Sequence, residues 1–276
     1  MQIVRTLAQL RVALAASPGP VALVPTMGAL HAGHMALVSE AARLAQTVVV
    51  SIFVNPKQFG AGEDLTKYPR QEAADVAMLD AAGVAVLWAP DVAEVYPEGF
   101  STHVSVAGLS EGLDGAARPG HFDGVTTVVA KLFGQVRPDV ALFGEKDWQQ
   151  LAVIRRMVWD LDMAVEIVGV AVQRDADGVA LSSRNAYLNS DERQAARALP
   201  HALGQAAIAI GDGASGEDVL RDAAEALTAA GLAVEYLELR DAASLGPVRP
   251  DAPARLLAAV RAGGTRLIDN VPVFPA

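Results

Sequence analysis

Over its first 170 or so residues the chain alternates short β-branched runs with stretches of helical periodicity, which restricts it to an α/β fold with a parallel sheet. Val48-Val49-Val50-Ser51-Ile52-Phe53-Val54 is the clearest strand. Another is predicted before it over 21–24, and three more after it over 84–88, 139–143 and 165–172. Between them the spacing predicts helices over 31–45, 71–82, 124–136 and 147–161, the last with Leu151, Ile154 and Val158 on one face. Past Val172 the texture changes. Helices over 191–210 and 217–230 run back to back, the second opened by a capping box at Ser215-Gly216-Glu217-Asp218. Strands over 233–239 and 255–260 follow, with 266–268 adding a third. Two domains are expected, 1–172 and 173–276, the second a smaller α+β unit.

The charge balance narrows the possible partners. Lys and Arg number 22 against 32 Asp and Glu, a net charge of −10 that repels nucleic acid and anionic lipid, so neither is an expected partner. A polyanion can be held only where a local cluster of cations overcomes that field. With no cysteine, disulfides, thiolate metal sites and thiol nucleophiles are excluded. The most apolar stretch, 48–54, is too short to span a bilayer, and the first residues lack a signal-peptide core. A cytoplasmic protein is expected.

In an open parallel sheet, ligands sit at the carboxyl ends of the strands, where helix N-termini also point. Three unusual loops follow such strands: Pro25-Thr26-Met27-Gly28-Ala29-Leu30-His31-Ala32-Gly33-His34, Asn55-Pro56-Lys57-Gln58-Phe59-Gly60, and Gly144-Glu145-Lys146-Asp147-Trp148-Gln149-Gln150. The fold reading brings all three to one rim. His31 and His34, three apart at a helix start, share a face where the dipole, backbone N–H groups and imidazole N–H groups favour a phosphate. The same pair could be two solvent-facing residues of a first turn; a metal pair lacks the HExxH pattern or cysteine that would support it. Gly28 and Gly33 let backbone approach a ligand closely.

Lys146 could meet a phosphate oxygen and a neighbouring carboxylate could hold Mg²⁺, although a charged, solvated helix start has the same composition. Ser182, Ser183 and Arg184, within Asp177-Gly178-Val179-Ala180-Leu181-Ser182-Ser183-Arg184-Asn185, suit a phosphate or form a turn-rich linker. Gln58 and Gln150 offer amide donors and acceptors without charge. His103 and His201 read as structural, and Trp88, Trp148 and Trp159 as core or interface.

Five ordered blocks resemble the pantoate–β-alanine ligase family. They are the 25–34 run; Ser51 to Phe59 with Tyr68-Pro69-Arg70; Arg118-Pro119-Gly120-His121-Phe122 with Gly124-Val125; Gly144-Glu145-Lys146-Asp147 with Gln149-Gln150; and the 177–185 run. Arg266-Leu267-Ile268-Asp269-Asn270 fits as well, so the resemblance covers essentially the whole chain, with a conservative departure at Val179. It implies a Rossmann-like parallel sheet domain of the HxGH nucleotidyltransferase type, a smaller α+β C-terminal domain acting as a lid, and a homodimer. It implies ATP at Met27, Gly28, Ala29, Leu30, His31, Ala32, Gly33 and His34, at Gly144, Glu145, Lys146 and Asp147, and at Gln173, Leu181, Ser182, Ser183 and Arg184. It further implies pantoate at Gln58 and Gln150, β-alanine at Gln58, Mg²⁺ with ligands unassigned, and catalytic roles for His31, His34, Lys146 and Arg184, with His34 the proton donor. The implied chemistry is adenylation of pantoate and attack by β-alanine. A nucleotidyltransferase acting on a phosphate ester would share the HxGH turn but need no amine acceptor; the charge of −10 and the modest size argue against a tRNA-charging enzyme, and a nucleotide sensor would have no need of the paired histidines and lysine.

Overall fold

The computed structural model describes residues 1–60, 63–250 and 252–274. Its chain divides into two compact units, Met1–Glu145 with Val153–Ala171, and Lys146–Ala152 with Val172–Ala276. A single boundary near 172 therefore does not describe the division, because a seven-residue piece from inside the first 172 packs with the second unit.

The first unit is built from β1 (Gln2–Val4), α1 (Leu7–Ala15), β2 (Val21–Thr26), α2 (Ala32–Leu44), β3 (Thr47–Ile52), α3 (Glu72–Ala81), β4 (Val86–Trp88), α4 (Val92–Val95), α5 (Asp114–Ala117), α6 (His121–Val136) and β5 (Val140–Gly144). Helix α7 (Trp148–Asp160) starts in the second unit's segment and leads to β6 (Glu166–Val170). The six strands form one sheet in the order β1-β4-β3-β2-β5-β6, every pair parallel. Successive strand residues face opposite sides of the sheet. Ala22, Val24, Val48 and Val50 pack with Leu37, Val38 and Ala41 of α2 and Leu79 of α3. Phe143, of the other parity, meets Phe133 of α6 at 6.5 Å, so α6 covers the second face. Burying a side chain such as Leu79 contributes roughly 1.5–3 kcal/mol.

The strand order reverses between β2 and β5, the switch point at which sheets of this kind open a crevice. Here the opening has a visible cause. Strands β2 and β5 pair only at Ala22–Val140 and Leu23–Ala141, whereas β2 and β3 stay in register through Thr26–Ile52. Pro25, which has no N–H for a ladder bond, lies just beyond the β2–β5 pairing. Strand β1 and helix α1 escape the sequence reading because a three-residue edge strand shows no period.

The second unit sets α8 (Ser190–Ala196), α9 (Ala198–Gly211) and α10 (Gly216–Ala229) against an antiparallel sheet of β7 (Ala233–Asp241), β8 (Ala254–Ala262) and β9 (Thr265–Val273), in the order β7-β8-β9. Leu203, Leu227, Leu256, Ala258, Val260 and Leu267 form its core. The helix expected over 191–210 is two helices that meet at Arg197. Pro200 explains the break: it has no N–H to give the carbonyl of Ala196 and its ring crowds that position. The capping box at Ser215 is half formed. Ser215 accepts from Asp218 N at 3.5 Å, while the Asp218 carboxylate takes Arg221 at 2.7 Å rather than turning back. The third strand is far longer than the 266–268 expected. Among the described residues, no helix is long and apolar enough to cross a membrane.

Candidate active site

Helix α2 begins at its own histidines. His31 is the N-cap, and its Nδ1 accepts from Gly33 N at 3.1 Å; His31 N donates to His34 Nδ1 at 3.3 Å, closing a reciprocal capping box. The rings lie 4.1 Å apart between centroids. A neutral imidazole carries one proton, so a ring whose Nδ1 accepts carries it on Nε2. Both rings thus carry their proton on Nε2. Within the first turn, Gly33 N goes to a ring nitrogen, and His34 N and Met35 N go to the His31 carbonyl.

The turn before them is held from below. Asp75 of α3, 1% exposed, accepts Ala29 N (2.9 Å) and Leu30 N (2.8 Å) on its two oxygens. Gly28 adopts φ +81° freely, but Ala29 stands at φ +52°, a left-handed conformation strained for a residue with a Cβ and held here by the clamp. A Cβ on Gly28 would come within 3.1 Å of both Asp75 Oδ2 and Ile52 Cγ2, so this turn closes tightly over the carboxylate.

Gln58 is oriented by a chain of donors. Lys57 N donates to Asn55 Oδ1 (3.2 Å), and the Tyr96 hydroxyl does the same (2.8 Å); burial pushes the Tyr96 pKa up, keeping it a donor. Asn55 therefore turns its NH₂ toward Gln58 Oε1 (3.0 Å), and Gln58 turns its own NH₂ toward Met27 Sδ (3.2 Å). The backbone of Gln58 is fixed too. Arg118 Nη1 can only donate, so His121 Nε2 accepts from it at 3.0 Å and His121 Nδ1–H donates to the Gln58 carbonyl at 2.8 Å. Burial, then the Arg118 charge, pushes the His121 pKa down to about 4, which keeps that ring neutral. Arg118 also pairs with Glu63 at 2.7 Å and holds its carboxyl below the usual range. Gly124 lets α6 approach this loop: a Cβ there would fall 2.3 Å from the Lys57 carbonyl oxygen.

A short 3-10 turn over Glu145–Asp147, whose last two residues open the second unit's segment, leads into α7. Lys146 and Gln150 are half-buried and Asp147 is exposed. The Lys146 carbonyl accepts from Asn270 Nδ2 at 2.8 Å. Gln173 O accepts from Leu181 N at 2.8 Å, and Ser182 Oγ caps the next turn by accepting from Arg184 N at 3.3 Å.

Residues 2–272 match the family described as Pantoate-beta-alanine ligase. The chain belongs to that family. It is 63% identical over 281 residues to the pantothenate synthetase of Rhizorhabdus wittichii, with 100% of each chain covered. It is 59% identical over 278 residues to that of Sphingopyxis alaskensis, covering 99% of this chain and 100% of the relative. Among solved structures, a pantothenate synthetase from Thermus thermophilus superposes with a TM-score of 0.94 at 49% identity, over 100% of both chains. The pantoate-beta-alanine ligase from Francisella tularensis, crystallised with beta-gamma ATP and beta-alanine, gives 0.84 at 32% identity, over 98% of this chain and 97% of that one.

Against the ligase family's motifs, the first unit carries Met27 to His34, Gln58, Gly144 and Glu145, and brings Met27 to Gln58. The second carries Lys146, Asp147, Gln150, Gln173 and Leu181 to Arg184, and brings Gln173 to Leu181. Three residues that the motif reading left without a role, Asp75, Asn55 and His121, do the orienting. Asp75 had a signal: an acidic residue four before Leu79, on the buried stripe of an amphipathic helix. His103 and His201 are exposed, and Trp159 is 78% exposed, so it is not in this chain's core.

Proposed function

We propose that this chain makes pantothenate in two steps through a pantoyl adenylate. The chain is a ligase that joins pantoate to β-alanine, with ATP as a substrate. In the first step a pantoate carboxylate oxygen attacks the α-phosphorus, the α–β phosphoanhydride bond breaks, and pyrophosphate leaves. In the second the neutral β-alanine amine attacks the acyl carbon and AMP leaves. Negative charge builds on the phosphates in the first step, and donors placed for it are the main source of rate in such chemistry.

The observation that carries this reading is the direction of the two imidazoles, each with Nδ1 engaged by backbone N–H and Nε2–H as its donor. In this proposal His31, His34, Lys146 and Arg184 stabilise the phosphate charge. Met27 to His34, Gly144 to Asp147, Gln173 and Leu181 to Arg184 bind ATP. Gln58 and Gln150 bind pantoate, and Gln58 also meets β-alanine; its oriented NH₂ is a donor suited to a carboxylate or hydroxyl oxygen. Among the described residues, no three His, Cys, Asp or Glu side chains gather as a metal cage. Mg²⁺ arriving with ATP needs none, since it keeps waters and phosphate oxygens and takes one or two carboxylates. Asp147, exposed beside Lys146, would hold it, and the ion would neutralise phosphate charge.

The test supplies ATP, Mg²⁺, D-pantoate and β-alanine and follows the products. AMP and pantothenate are expected, with pantoate-dependent exchange of pyrophosphate into ATP when β-alanine is left out. Formation of ADP, or exchange indifferent to pantoate, overturns the mechanism. A cytoplasmic homodimer completes the proposal. Trp159 and Leu161, 78% and 51% exposed at the end of α7, support a second copy, and light scattering at twice the chain mass checks it.

A further inference from the structure

Asp269 and Asn270 of β9 are each 2% exposed and take no part in the ligand contacts proposed above. Adjacent strand residues point to opposite faces. Asp269 sits opposite Ala258, on the face that carries Leu256, Val260 and Leu267 into the helix-backed core. Asn270 lies on the other face, opposite Leu257 and diagonal to Arg255.

Each face holds a different segment. On its side, Asn270 Nδ2 donates to the Lys146 carbonyl (2.8 Å) while its Oδ1 accepts from Arg255 Nε (2.6 Å). Arg255 in turn lies 3.5 Å from the centroid of the Trp148 ring, and Trp148 Nε1 donates to Ala242 O at 2.9 Å. On the opposite face Asp269 takes both ends of the Arg174 guanidinium (2.6 and 2.9 Å) and steadies Asn270 by accepting its N–H (2.8 Å). Arg174 also donates to Gly178 O (3.1 Å) and bridges Ala180, closing the turn that delivers Ser182 to Arg184. A strand that only filled a core would carry apolar residues at both places, because burying an amide or a carboxylate is costly unless every bond is made.

We propose that Asp269 and Asn270 are positioning residues of the adenylation step: one dipeptide sets Lys146 and Arg184 relative to each other, one through each face of the sheet. This rests on the reading that Lys146 and Arg184 act on ATP.

The experiment measures single-turnover adenylate formation from ATP and pantoate, with thermal unfolding followed in parallel. Asn270→Ala is expected to slow adenylate formation roughly tenfold to a hundredfold, the scale of an ångström-level misplacement, and to leave the KM for β-alanine unchanged. In a Lys146→Ala background the same substitution should cost at most about threefold, because its effect runs through the missing side chain. Asp269→Asn should behave likewise toward Arg184→Ala. Equal cost of either substitution with and without its partner overturns the proposal and marks the dipeptide as structural. If Asn270→Ala fails to fold, Asn270→Asp carries the test, since it keeps the acceptor for Arg255 and loses the donor to Lys146. A Lys146→Ala enzyme with a near-normal rate would instead overturn the parent reading, which the single variant reveals by itself.

Discussion

The turn that starts α2 and the turn that carries Lys146 are held in opposite ways. The first is largely self-contained: two histidines three residues apart cap their own helix, and one carboxylate on α3 clamps the backbone before them. The second relies on distant chain, its carbonyl taken by a side chain 124 positions later and its tryptophan by an arginine on β8. A locally built element can be read from its own residues. An element built at long range exists only after the sheet that supports it has formed, and its supporters look like ordinary strand residues until then.

Substitutions can break or sharpen this contrast. The largest effect is expected at His34→Ala, which removes the proposed phosphate donor and half of the helix cap together. Pantoate-dependent exchange should fall roughly a hundredfold or more while circular dichroism stays that of a folded protein; a near-normal rate would deny His34 its role. Asp75→Ala comes next, since it leaves two buried N–H groups without an acceptor at a left-handed turn. A loss of about 3 kcal/mol in urea unfolding is expected, and an unchanged midpoint would show that the turn holds itself.

Acid should separate the two units. Folded His121, with a pKa of about 4, refuses a proton that the unfolded chain binds below about 6.5. Its stabilisation is full above pH 6.5 and shrinks as pH falls to 4, by about 3 kcal/mol in all. Asp241 in the second unit behaves differently. Its carboxylate accepts from the Ser244 and Ala243 N–H groups, with Arg249 beside it, and its pKa drops to about 2. Its contribution is lost only below pH 3.8. Amide protection, taken relative to the intrinsic exchange rate at each pH, should therefore fall in the first unit before the second at about pH 5, and His121→Asn should flatten that response; an equal fall in both would refute it. The smallest change is expected from Trp148→Phe, which keeps a ring under Arg255 and loses the bond to Ala242. About 1 kcal/mol is the expected cost, read as a shift in the urea midpoint.

The same contrast explains what was legible. The strands at the centre of the sheet and the helices beside them announce themselves by period, and His31 and His34 by spacing. The roles of Asn270 and Arg255 have no local signal, because their partners come from other elements. Asp75 and Pro200 lie between these cases: each breaks the pattern of its own helix, and each break has a structural meaning.

The parting of β2 from β5 beyond Leu23 gives the sheet two kinds of backbone. Below Pro25 the central amides are shared among three strands and should exchange with solvent only when the whole unit opens. Above it, the ends of β2 and β5 each keep a neighbour on one side alone. Their amides should exchange through small local openings, at free energies well under the global value. The sheet is thus stiff at its base and yielding at the edge from which the 27–34 turn emerges, so, if ATP binds there as proposed, deuterium uptake at that edge would register its arrival while the base stays silent.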